Sequence, residues 1–268
     1  MKLRNNANTP LQKALLCTAI TLGLCLGLTQ TASAIVNIEG LRNSDKQQGL
    51  SGSLALSISG ASGNTDKTAA STSGRLHWQR QQSATFFIAS YDYGESNQGR
   101  NTNKALGHLR HVMQTSERRA IEGFLQAERN EFTRLSLRKL AGAGLRLTLH
   151  NSDKGQSNLG LGIFHSSETL DERTGLSDSG TERLTRANIY LAIDYAINKQ
   201  VSIESTSYYQ PASEDMHDYR LLEQAALKVG INDQLAIKLS LDISHDSLPP
   251  QSIDTTDISY HSGIEYKF

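Results

Sequence analysis

Cysteine is nearly absent. The 268 residues hold two, Cys17 and Cys25, and both fall in the first 34. Neither follows the small residue that a lipoprotein signal places before its cysteine; Leu16 and Leu24 stand there instead. Beyond residue 34 this excludes a disulfide, a thiolate nucleophile and a cysteine metal site. Proline is scarce, at four residues, few for a loop-rich globular chain. No charge of either sign is in excess, since 27 basic side chains meet 27 acidic ones. That balance argues against nucleic acid as a partner, because nucleic-acid-binding proteins carry a basic surplus. Long apolar runs are missing except for residues 14–28, so the chain is not a helical membrane protein with several spans.

What is present begins with an address. Lys2, Arg4 and Lys13 precede the apolar run, and Ala32-Ser33-Ala34 supplies a small-residue cleavage pattern. Residues 1–34 therefore read as a secretory signal peptide cut before Ile35. The run is also shorter than the ~20 residues of a spanning helix. Removing three of the 27 basic residues leaves a slight acidic excess. Residues 35–49 read as a polar, mobile periplasmic extension, and residues 50–268 as the folded domain.

From Leu50 onward the dominant period is two, the period of a strand with two unlike faces. Leu54, Leu56 and Ile58 alternate with Ser53, Ser57 and Ser59. The same alternation runs through residues 135–149, 187–197, 235–244 and 257–268, with weaker segments between. About twelve strands result, with a bulge or an error of register expected near Glu223, where the two faces conflict. Short turns fall at residues 81–83, 115–117, 151–155, 198–200 and 232–233. Mostly longer loops fall at 61–67, 94–103, 167–182, 210–218 and 247–254. Short turns at one end and long loops at the other describe an antiparallel transmembrane β-barrel of the outer-membrane type, with both chain ends in the periplasm. A soluble sandwich also alternates. The scarcity of Lys and Glu on the apolar face favours lipid, where a charge at mid-depth costs ~2–4 kcal/mol. Tyr266 and Phe268 close the last strand as a C-terminal membrane-insertion signal. Trp78, Tyr91, Tyr195 and Tyr260 suit an interfacial girdle.

Several motifs resemble one family in order and spacing. They are Gly63-Asn64-Thr65-Asp66, Tyr93-Gly94-Glu95-Ser96, Gly142-Ala143-Gly144-Leu145, Asp218-Tyr219-Arg220-Leu221, Pro249-Pro250, Thr255-Thr256-Asp257 and the Tyr266-Lys267-Phe268 ending. Together they resemble the bacterial outer-membrane family named as salt-induced proteins and classed as a domain of unknown function. The resemblance implies an outer-membrane barrel linked to osmotic or salt stress. It carries no catalytic residues.

No enzyme constellation emerges. His245-Asp246-Ser247 and His165-Ser166-Ser167 are the candidates for a rim hydrolase, but neighbours on a strand point to opposite faces. His108 and His111, three apart, also face opposite ways. Asp171, Glu172, Asp178 and Glu182 make an acidic loop without the tight spacing of a calcium site. The expectation is no catalysis, no metal and no cofactor. The alternation turns Arg75, His77, Glu122, Glu128, Arg138, Arg146, Glu204, Lys238, Asp242 and Glu265 inward, with Glu128 nearly opposite Arg138. These read equally as a stiffening ion-pair network or as a mixed-charge constriction. Inward small residues, including Gly142, Gly144, Gly160 and Gly162, tilt the reading towards a narrow lumen. The expected protein is a monomeric passive pore for small solutes or ions, held in outer-membrane lipid and inserted by the barrel-assembly machinery. The alternatives are a closed barrel serving envelope integrity and, last, a lipid hydrolase.

Overall fold

The computed structural model describes residues 35–39, 48–62, 66–97, 99–232 and 234–266. The signal-peptide reading, residues 40–47 of the extension, the motif at residues 63–65, and Phe268 lie outside the described residues. So do the side chains of Glu265 and Tyr266.

Twelve strands form one antiparallel sheet in sequence order. They are β1 (Gly49–Ala61), β2 (Lys67–Gln79), β3 (Ser83–Ser96), β4 (Gly99–Ser116), β5 (Arg119–Asn130), β6 (Leu135–Ser152), β7 (Gly155–Leu170), β8 (Gly180–Ala196), β9 (Val201–Pro211), β10 (Tyr219–Gly230), β11 (Leu235–Asp246) and β12 (Thr256–Tyr266). A single 3₁₀ turn, Glu131–Thr133, joins β5 to β6 and is capped by the Asn130 side chain on the Phe132 amide. The expected twelve strands and their alternation are thus the observed fold.

The sheet curls around an interior. Tyr190 on β8 donates to Glu122 on β5 at 3.1 Å, and Arg220 on β10 reaches Glu168 on β7 at 2.7 Å. A flat sheet could not bring those strands together. Among the described residues β1 and β12 are the two edges of the sheet. Ile58 and Tyr260 on those edges are 84% and 83% exposed. The inner face of β1 is serine and alanine, so it offers no long side chain to reach across that seam.

The outer face is apolar and exposed. Leu76, Phe87, Leu109 and Leu125 stand side by side on β2, β3, β4 and β5, each 41–57% exposed. Leu145, Leu161 and Ile189 continue such a row on β6, β7 and β8.

Three expectations need correction. The loop expected at residues 94–103 is mostly strand, because β3 runs to Ser96 and β4 starts at Gly99. The bulge expected near Glu223 is absent, and β10 keeps register with both neighbours. The faces conflict there for side-chain reasons. Leu222 turns inward onto Tyr190 and Tyr208, while the outward Glu223 accepts hydrogen bonds from Ser205, at 2.6 Å, and from Ser207. Register shifts occur elsewhere, for example between Glu128 and Asn130 and between Leu135 and Leu137. Finally, residues 35–39 do not lie outside the barrel. Ile35, Val36 and Ile38 are 0–2% exposed, seated among inward side chains of β3 to β7.

Candidate functional site: the barrel interior

The interior holds two belts of charge. The lower belt lies towards the short-turn end. Arg110 on β4 bonds Glu122 on β5 at 3.3 Å. Glu122 accepts from Tyr190, whose hydroxyl accepts in turn from Arg146 on β6 at 3.3 Å. Arg146 closes the chain on Glu39 of the N-terminal segment, at 2.6 Å for one of two bonds. The upper belt lies towards the long loops. Arg138 donates to Glu128 at 2.8 Å and to Glu168 at 2.9 Å. Arg220 donates twice to Glu168 and once, at 2.8 Å, to Asp246 on β11. Charges taken out of water demand such partners, and removing one partner leaves an uncompensated buried charge worth about 3–5 kcal/mol.

Four of the expected inward residues sit in these belts: Glu122, Glu128, Arg138 and Arg146. The other expected residues whose side chains are described line the inner face without joining them. Arg75 is half-buried opposite Ile88, and His77 stacks on Phe86 with ring centroids 4.5 Å apart. Asp242 accepts from Gln224 at 2.9 Å. Glu204, beside Asp194 in register, and Lys238, beside Lys228, are exposed near the short-turn end. Glu265 stands opposite Ala236.

The sequence reading passed over Arg110, Glu168, Arg186 and Arg220, all buried or nearly so. Arg110 shares a face of β4 with His108 and Val112, but the opposite face carries Leu109 and Met113. With apolar residues on both faces, the period gave little to choose between them. Glu168 and Arg220 fell at strand ends, where boundaries are least certain.

Apolar side chains also point inward. Phe86, Ile88, Val112 and Ala120 form one cluster with Val36 and Ile38. Phe124, Leu140 and Phe164 form another with Ile35. The inward glycines serve this packing. A Cβ on Gly142 would stand 2.5 Å from the Phe124 ring, and one on Gly160 would stand 1.8 Å from Tyr190. Each glycine lies directly opposite the ring that covers it, a cross-strand pairing in which the missing side chain makes room for its neighbour. Gly142 and Gly160 therefore hold rings, and the space they free is occupied, whereas Gly144 and Gly162 lie against each other's backbone.

Loops cover the long-loop end. Arg134, fully buried and left-handed at φ 58°, donates to Asp178 at 2.7 Å, to the Gln251 carbonyl at 3.0 Å and to the Asp171 carbonyl at 3.2 Å. The Gln251 amide closes the clasp on Asp178 at 2.6 Å. These bonds hold the Asp178 carboxyl below the usual carboxylate range, with the Gln251 amide the largest cause. Beneath them a cavity of about 60 Å³, lined by Arg138, Glu168, Arg220, Asp246 and Pro250, has room for a few waters.

The rim histidines are otherwise engaged. His245 pairs with Thr256 at 2.9 Å, Asp246 with Arg220, and Ser247 donates to the His217 carbonyl at 2.8 Å. His165 pairs with Thr185, and Ser166 donates to the Leu184 carbonyl. In the acidic loop Asp171 accepts from Ser136, apart from Asp178. Among the described residues no three His, Cys, Asp or Glu side chains gather as a metal site.

These features define a twelve-stranded antiparallel barrel, apolar outside and ion-paired within. Residues 54–268 match the protein family of unknown function DUF481, and the chain belongs to that family. Comparison with curated proteins finds no match. Among solved structures the chain is similar to the NanC porin, with 12% identity, a TM-score of 0.45, and 80% of this chain and 100% of that one covered. It is similar also to CymD, titled a monoaromatic hydrocarbon channel, with 12% identity, a TM-score of 0.43, and 83% and 80% covered. A third is the transport unit of the autotransporter AIDA-I from Escherichia coli, with 12% identity, a TM-score of 0.36, and 94% and 97% covered.

Proposed function

We propose that the protein is an outer-membrane barrel, exported by a signal peptide cut before Ile35, and a narrow passive pore for small solutes or ions. One observation carries this reading. The exposed face is a belt of Leu, Ile and aromatic side chains while the enclosed face carries two belts of charge beside its apolar clusters, unlike the interior of a soluble domain. An exposed apolar belt of that extent suits lipid, and a mixed-charge interior suits selection among small ions. In this reading the barrel is a monomer in outer-membrane lipid, inserted by the barrel-assembly machinery with Tyr266 and Phe268 as its signal, and it serves tolerance of salt or osmotic stress.

A second reading has its own support. The charges of the two belts satisfy one another and rings fill the space at Gly142 and Gly160, which favours a closed barrel that stiffens the envelope. Single-channel recording separates the two. The exported chain is refolded, its closure checked by a heat-dependent gel shift, and its currents recorded across a planar bilayer in two salt gradients. Discrete steps with a reversal potential support the pore, and reversing Arg138 and Arg146 to glutamate then shifts selectivity towards cations. A folded but silent barrel supports the closed reading, and deletion then gives an osmotic or detergent-sensitivity phenotype.

A further inference from the structure

Residues 35–39 enter the interior and are recognised there by side chains of five strands, β3 to β7. Glu39 places its carboxylate on the two terminal nitrogens of Arg146, one bond at 2.6 Å. The Val36 carbonyl accepts from Arg110 at 3.3 Å, and the Val36 amide donates to the Gln126 side chain at 3.1 Å. Val36 and Ile38 fill the pocket of Phe86, Ile88, Val112 and Ala120, and Ile35 fills that of Phe124, Leu140 and Phe164. Both main-chain groups of one residue, three apolar side chains and a bidentate carboxylate are engaged at once. That is how a receptor reads a peptide, through backbone bonds for affinity, and pockets and charge for specificity.

The geometry points to a peptide-binding site in the interior that takes a short, carboxylate-bearing segment, with residues 35–39 as its occupant and the plug of the barrel. Cleavage before Ile35 makes this segment the free end of the exported chain. The chain enters β1 at Gly49, at the short-turn end. The plug's effect on conduction rests on the pore reading; its binding does not.

The absence of cysteine beyond residue 34 makes the test direct. Val36→Cys is introduced into the folded, exported chain and labelled with a bulky maleimide, with the heat-dependent gel shift confirming folding in every variant. The Val36→Cys protein labels slowly. Adding Glu39→Arg, which sets like charge against Arg146, speeds labelling about tenfold or more, as opening of a protected site does. Adding Arg146→Glu as well restores slow labelling. Equal rates in all three backgrounds, or fast labelling in the first, overturn the proposal. In bilayers Glu39→Arg raises conductance, and the C-terminally amidated peptide Ile-Val-Asn-Ile-Glu, added on the periplasmic side, blocks it. The same peptide ending in glutamine does not block, and equal block by both peptides overturns carboxylate recognition. Labelling that follows the charge swap in a barrel silent in every variant supports the plug and overturns the pore.

Discussion

Arg220 and Glu168 meet through two hydrogen bonds, at 2.7 and 3.0 Å, although β8 and β9 lie between their strands. The contact exists because the sheet is curled, and it helps keep it so. Glu168 also accepts from Arg138, and Arg220 also binds Asp246, so one carboxylate ties three strands across the long-loop end.

Breaking that contact on one side destabilises the barrel. Arg220→Ala leaves Glu168 and Asp246 short of a partner in a buried site and lowers stability by about 3–5 kcal/mol. The double variant Arg220→Ala with Glu168→Ala loses less than the sum of the single losses. The midpoint of heat-dependent gel migration reads both, and additive losses would show that the pair is not coupled.

The glycine–ring pairs give a sharper test of the packing. Gly160→Ala drives a methyl into Tyr190 and costs about 1–3 kcal/mol by overpacking. Tyr190→Leu in the same chain recovers part of that loss. A Gly160→Ala barrel as stable as the parent would mean that the interior there is open.

Leu125 decides between lipid and water. It is 57% exposed on the outer face. Against lipid at mid-depth, Leu125→Arg costs ~2–4 kcal/mol, whereas on a solvated surface such a change stays within about 0.5 kcal/mol. Unfolding titrations of the refolded variant in vesicles measure the difference.

The loop clasp depends on pH. Asp178 has its carboxyl held below the ordinary value, so its bonds to Arg134 and the Gln251 amide add stability above the unfolded value of about 4. That contribution fades as the pH falls through the lower folded value. Limited proteolysis of the loops at residues 171–179 and 247–255 therefore speeds up below about pH 4, and Asp178→Asn removes the pH dependence.

Much of the fold was legible because a strand writes its two environments into alternate residues. Leu54, Leu145 and Ile237 announced an outward face, and Glu128 and Arg138 could be placed opposite one another, as they are at 2.8 Å. The interior was less legible. Phe86, Phe124 and Phe164 follow the same alternation yet face inward, because each packs on partners from other strands. Gly142 and Gly160 read as empty space because a glycine says nothing of the ring that its neighbour supplies.

The sequence by itself determined the strand count, the antiparallel order and most of the inward and outward faces, since these follow from periodicity and turn chemistry within short stretches of chain. The tertiary structure alone decided what fills the barrel. Arg146 meets Glu39 across 107 positions, and Arg220 meets Glu168 across 52. Such partners are set by the curl of the whole sheet, which no local pattern encodes.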